Sequence, residues 1–282
     1  MFSNIVLSGG GMGAISYFGS FKYICENKEL KTNLKNVLGV SAGAFFSLFL
    51  ILDFTFEDCV IFIEKLKLFD MKNIKVNDIL KVKSSFGIDN GNKLIDIIKL
   101  IYDMKQINYS ITFKELAKSK GKNLIIATAN VTKQEMFYFC VDNTPDVQVI
   151  DAVKASASIP FLFVPFIYNE EYHVDACIYN NFPMHYFKDS LDHTLGLNLV
   201  TKNTKIDGFF SYVQNLLDSI IFVNSQKDFK NECKLYTVGN GFNAKKMKFN
   251  FDEKNTNEAI EYGYETLKLF VEAKISKIRQ IS

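Results

Sequence analysis

Ser41 stands in Gly39-Val40-Ser41-Ala42-Gly43, a Gly-x-Ser-x-Gly pattern between the apolar stretches Val37-Leu38 and Phe45 to Leu52. That order predicts a strand, a sharp turn and a helix, with a serine hydroxyl raised at the turn. The flanking glycines suit a turn too tight for side chains. A helix starting at Ala42 would aim unbonded N–H groups at the place where an attacked carbonyl becomes an oxyanion. The same five residues also occur in ordinary strand-to-helix turns, so their meaning depends on what the rest of the chain supplies.

A second candidate is the loop Ser8-Gly9-Gly10-Gly11-Met12-Gly13-Ala14, directly after the first apolar run. Consecutive glycines let several backbone N–H groups face one negative charge. Gly9-x-Gly11-x-x-Ala14 satisfies a dinucleotide fingerprint, which also asks for a carboxylate at the end of the second strand. That strand ends in Leu38-Gly39-Val40-Ser41, without one. The other reading makes the loop an oxyanion hole for Ser41 and uses both motifs.

The third element is Val174-Asp175-Ala176-Cys177, followed by Asn180-Asn181-Phe182-Pro183. An aspartate at the end of a short strand can take a serine proton as general base, or simply bond the turn that follows. His173, on the same strand face as Asp175, and His185 and His193 are candidates for a third member of a triad; packing or surface roles are the alternative. Phe161 to Phe166 either fills the core or lines an acyl channel.

The elements that must position these residues follow from periodicity and turn chemistry. Strands are expected at Asn4 to Ser8, Leu34 to Val40, Leu124 to Val131, Met136 to Val141, around Ile167 and Tyr172, at Leu195 to Val200 and at Leu235 to Val238. Helices are expected at Met12 to Asn27, from Ala42, at Phe56 to Leu68, Asn92 to Met104, after Thr112, at Val147 to Ser158, Gly208 to Phe222 and Glu258 to Ile278. Thr112 and Glu115 have capping-box spacing ahead of Gly121. Asp70 to Gly91 is the least defined part, a surface helix or a cover. The alternation predicts an α/β sheet with helices on both faces, in one domain spanning 1–282.

Composition narrows the function classes. The net charge is +2, with 48% hydrophobic and 23% charged residues, which gives no ground for nucleic-acid binding. The five cysteines are scattered and lack Cys-x-x-Cys spacing, which favours reduced thiols over disulfides or a metal site. No long apolar stretch predicts a leader or a bilayer span, so a soluble, cytoplasmic protein is expected.

Taken together, the chain resembles the patatin-like phospholipases. Leu7-Ser8-Gly9-Gly10-Gly11 with Tyr17-Phe18-Gly19, the Ser41 pentapeptide, Ala155 to Pro160, Val174 to Cys177 with Asn180 to Pro183, and Gly263-Tyr264 are similar to that family's motifs in the same order. The resemblance implies a three-layer α/β/α sandwich with a mostly parallel central sheet. It also implies hydrolysis of lipid acyl esters by a Ser41–Asp175 dyad without metal or cofactor, and without a histidine. Gly10, Gly11, Met12 and Ala42 would supply the oxyanion N–H groups, and contact with a membrane surface would be transient.

Two positions depart from the family pattern. Gly13, followed by Ala14, replaces a loop cation, which implies a slower enzyme that Gly13→Arg would partly restore. Ala176 replaces a glycine, and a left-handed backbone there would strain alanine and shift Asp175. These departures leave open an inactive relative that only binds lipid.

Overall fold

The computed structural model describes residues 2–67, 85–199, 206, 208–228, 237–240 and 253–281. Most of Asp70 to Gly91 lies outside them, as does the start of the strand expected from Leu235. Strand β1 (Asn4–Leu7) enters the glycine loop, and α1 (Ser16–Glu26) follows a 3-10 turn at Gly11–Ile15. The helix expected from Met12 therefore opens in a tighter form: Gly11 takes φ +51 and the Gly13 N–H bonds the Gly10 carbonyl at 3.1 Å.

Asn27 ends α1 and at once accepts the Leu30 N–H, capping an extra helix α2 (Lys28–Asn33). Its six residues carry one buried side chain, Leu30, so they have no apolar period to reveal them. Then come β2 (Asn36–Val40), α3 (Ala42–Ile51), α4 (Phe56–Lys67), β3 (Gly87–Asp89) and α5 (Asn92–Met104). Helix α6 (Phe113–Lys120) carries the expected capping box between Thr112 and Glu115 and stops at Gly121 in the left-handed region.

The second half holds β4 (Asn123–Asn130), β5 (Glu135–Phe139), α7 (Val149–Ser156), β6 (Phe161–Phe163), β7 (Phe166–Tyr168) and β8 (Glu171–Asp175). Two 3-10 segments, Ala176–Ile178 and Met184–His193, lead to β9 (Thr194–Leu199), α8 (Phe209–Asp228), β10 (Thr237–Asn240) and α9 (Glu253–Ile281).

Among the described residues the main sheet runs β10-β9-β1-β2-β4-β8-β7, with β5 also on β4. The pairs from β10 through β4 are parallel, while β5, β8 and β7 join antiparallel. Strands β3 and β6 form a separate parallel pair, and neither was legible as a strand in the sequence.

Alternation along the strands divides the core. Ile5, Leu7, Val37, Leu124 and Ile126 face the larger apolar cluster, which takes in residues of α1, α3, α4, α5, α7 and α9. Val6, Leu38, Val40, Ile125 and Ala127 face the other side, covered by Phe182, Met184, Tyr186 and Leu191. With both faces buried, the central strands read as continuous apolar runs and their register is fixed. Helices flank this mostly parallel sheet, as the alternation requires.

Candidate active site

The register of β4 decides what meets what. Strand β2 pairs in parallel with Asn123 to Ala127, and its last residue, Val40, sits opposite Ala127. Strand β5 occupies the opposite edge of β4, from Ile126 to Asn130. Strand β8 must therefore use the edge that β2 vacates, and there Asp175 pairs with Thr128. The chain leaving β2 at Ser41 and the chain ending β8 at Asp175 are thus brought head to head at consecutive positions of β4.

Ser41 takes φ 54 and ψ −123, a conformation that costs a non-glycine residue about 1–3 kcal/mol. The surroundings hold it there. A Cβ on Gly39 would stand 2.5 Å from the Ala44 Cα, and one on Gly43 would collide with the Leu7 and Ser8 carbonyls. The elbow is therefore compressed between β1 and its own helix, which only glycine permits at these two positions. The Ser41 side chain makes no capping bond to α3, so its hydroxyl remains available. Its carbonyl accepts the Ala44 and Phe45 N–H groups at 2.9 and 3.3 Å, which leaves the Ala42 N–H outside the helical ladder.

Asp175 is buried, 1% exposed. Oδ1 accepts the Cys177 N–H at 2.9 Å, and the Asp175 N–H donates to the Ser158 carbonyl at 2.9 Å. Among the described residues Oδ2 has no partner at full hydrogen-bonding geometry, although the Ser41 hydroxyl is near enough to favour the ionised form. Burial outweighs that help and raises the carboxyl pKa from 3.8 to about 6. The neighbouring Cys177 thiol is pushed well up by burial and by the Asp175 charge. Ala176 is not among the described residues with positive φ; it opens a 3-10 turn instead. The strain expected from its missing glycine does not arise.

The glycine loop lies alongside. A methyl on Gly9 would reach within 3.0 Å of the Ser41 Cβ. Asn181 grips Gly9 from both ends, accepting its N–H on the main-chain carbonyl at 3.4 Å and donating Nδ2 to its carbonyl at 3.0 Å. Among the described residues the Gly10 and Gly11 N–H groups have no acceptor. Met12, Gly13 and Ala14 continue as the 3-10 turn, with Gly13 buried. Beneath the loop, the Tyr17 hydroxyl bonds the Ser8 and Leu197 carbonyls at 2.9 and 3.0 Å.

The three histidines bond groups other than Ser41 and Asp175. His173 is fully buried, bonds Thr128 Oγ1 through Nδ1 at 3.1 Å, and packs against Phe137, Phe139 and Tyr168. Burial lowers its pKa to about 4. His185 faces the Asn180 side chain and His193 the Asp192 carboxylate. A groove of about 550 Å³ between α1, α4 and α9 shares no lining residue with the Ser41 region. Among the described residues no group of three or more His, Cys, Asp or Glu side chains could hold a metal ion, and no described helix is long and apolar enough to cross a membrane.

The patatin-like phospholipase family model matches residues 5–188, which takes in the glycine loop, the Ser41 elbow and the Asp175 turn. The chain belongs to this family. A probable lipid hydrolase, 463L of invertebrate iridescent virus 6, is 29% identical over 186 residues; the match covers 65% of this chain and 62% of that protein. The chain thus spans less than two thirds of that relative. Protein R571 of Acanthamoeba polyphaga mimivirus is 26% identical over 277 residues, covering 94% and 92%. Among solved structures, VipD from Legionella pneumophila superposes with a TM-score of 0.62 at 20% identity, over 96% of this chain and 67% of VipD. ExoU from Pseudomonas aeruginosa, solved in complex with SpcU, gives 0.52 at 16% identity, over 96% and 52%. These two likenesses show the fold.

Two residues of this region carry no individual signal in the sequence. Asn181 is legible only as part of its Asn-Asn-x-Pro turn. Ser156, in the last turn of α7, lies within the Ala155 to Pro160 segment, where nothing singles it out from its small neighbours.

Proposed function

We propose that this protein is a lipid acyl hydrolase that cleaves acyl esters of phospholipids or related glycerolipids through a Ser41–Asp175 dyad. The observation that carries the reading is the meeting of a strained serine elbow with a buried carboxylate whose Oδ2 is otherwise unpartnered among the described residues. Family membership and the printed name of the iridescent virus relative favour a lipid ester as substrate.

Asp175 takes the Ser41 proton as the hydroxyl oxygen bonds the ester carbonyl carbon. The carbonyl oxygen, now carrying the charge, is held by the N–H groups of Gly10, Gly11, Met12 and Ala42. The tetrahedral species collapses, and the departing alkoxide leaves as an alcohol with the proton from Asp175. Water then attacks the acyl-serine, gives a proton to Asp175, and that proton returns to Ser41 as the fatty acid is released. Contact with the lipid surface is transient in this reading, and no metal or cofactor takes part.

The test is fatty-acid release from mixed phospholipid vesicles, with fluorophosphonate labelling in parallel. Wild type should release fatty acid and be labelled, and Ser41→Ala should do neither. Equal behaviour of the two would end the nucleophile assignment. Vesicle binding without labelling would favour the lipid-binding relative that the cation-free Gly13 leaves open.

A further inference from the structure

Ser156 is fully buried at the end of α7, yet its hydroxyl does not serve its own helix. Oγ accepts the Ser41 N–H at 2.9 Å and donates to the Ala127 carbonyl at 2.7 Å. Ala127 is the β4 residue paired with Val40, immediately before the elbow. One hydroxyl therefore ties the first strained peptide beyond β2 back to the strand that also carries Asp175 through Thr128.

From this bridge we infer that Ser156 is a positioning residue that holds the Ser41 elbow in its reactive backbone conformation. The inference rests on the reading of Ser41 as nucleophile. The Ser41 N–H lies one residue past the last β2 pair, Val40 with Ala127, and Ser156 supplies the acceptor found there, pinning the peptide on which the strained φ turns. Without it, the strained conformer loses a hydrogen bond while relaxed conformers of the turn lose nothing. The population then shifts away from the geometry that faces Asp175 and the glycine loop. A group acting this way governs the fraction of enzyme that can react, and barely touches substrate affinity.

The experiment compares wild type, Ser156→Ala and Ser156→Cys for fluorophosphonate labelling rate, kcat and KM on a short-chain ester. Exchange of the Ser41 amide hydrogen is measured alongside. Loss of the acceptor should lower labelling rate and kcat by about tenfold to a hundredfold in Ser156→Ala, with KM nearly unchanged. Ser156→Cys, close in volume but a weaker acceptor, should fall between alanine and wild type, and it decides the matter if the alanine variant does not fold. The Ser41 amide should exchange slowly in wild type and faster in both variants. Labelling of both variants within about twofold of wild type, a raised KM at unchanged kcat, or rapid Ser41 exchange in the unmodified protein would each overturn the inference. An unlabelled wild type would instead remove the nucleophile reading itself, so the two failures are distinct.

Discussion

Val40 and Asp175 stand end to end on one edge of β4, opposite the consecutive residues Ala127 and Thr128. The parallel pairing that carries Val40 stops where the antiparallel pairing that carries Asp175 begins. A serine one residue past Val40 and a carboxylate at the end of β8 consequently share one small space. The dyad proposed here is a product of this change of strand direction.

The pH dependence of turnover follows from the carboxyl raised to about 6. Asp175 can accept a proton only when ionised. The acid limb of kcat/KM should therefore rise with pH through a midpoint near 6, well above the ordinary aspartate range. Asp175→Asn should lose about 10²–10⁴-fold in rate. An acid limb centred near 4 would contradict the buried-base account.

Stability should respond to the same group with the opposite benefit. A carboxyl raised from 3.8 to about 6 binds more protons folded than unfolded between those values, so its contribution falls as pH rises through that window. Asp175→Asn should therefore stabilise the protein at pH 7–8 by up to about 3 kcal/mol, with little gain at pH 4. His173 works the other way: lowered from 6.5 to about 4, it adds stability that is lost as pH falls through the same range. In Asp175→Asn the histidine is no longer opposed by that carboxyl, and the melting temperature should climb from pH 4 to 6.5 more steeply than in wild type. Parallel profiles would refute this opposition.

His173→Ala should separate packing from chemistry. The imidazole fills a cage of Phe137, Phe139 and Tyr168, so its removal should cost about 2–4 kcal/mol of stability. The folded protein should keep its ester hydrolysis. A kcat as low as that of Asp175→Asn in a folded His173→Ala sample would reinstate a triad.

Gly13→Arg should not rescue a slow enzyme. Gly13 is buried in the 3-10 turn, where its N–H bonds the Gly10 carbonyl and its carbonyl accepts the Ser16 hydroxyl at 2.9 Å. A long cation at this buried position must displace its neighbours, at a cost of about 1–3 kcal/mol or more. The expected result is a lower melting temperature and a lower kcat. A higher kcat would show that the cation is accommodated at little cost and that the missing charge limits the rate.

Asn181→Ala should slacken the glycine loop. It removes the Nδ2 bond to the Gly9 carbonyl and keeps the main-chain bond to the Gly9 N–H. Loss of one such bond should lower kcat by about tenfold, with KM on a short ester little changed. An unchanged kcat would place the loop's rigidity in Tyr17 and Ser8 instead.

The parts that depend on near neighbours are legible in the chain alone. The Gly-x-Ser-x-Gly elbow, the Thr112–Glu115 cap, the left-handed stop at Gly121 and the apolar runs of β1, β2 and β4 all follow from contacts within a few residues. So did the motif positions of Ser41 and Asp175. Local chemistry said less about α2, whose charged face hides a single Leu30, and about β3 and β6, each three residues long and stable only through the other. How distant residues meet is fixed by the assembled fold. Whether Ala176 is strained depends on the φ that the β8 exit imposes, and whether Gly13 has room depends on the packing around its turn. Ser156 reaches the Ser41 amide across 115 positions of sequence, and Asn181 reaches Gly9 across 172. No periodicity encodes such pairs, because their partners are set by the register of β4, which exists only once the whole sheet has assembled.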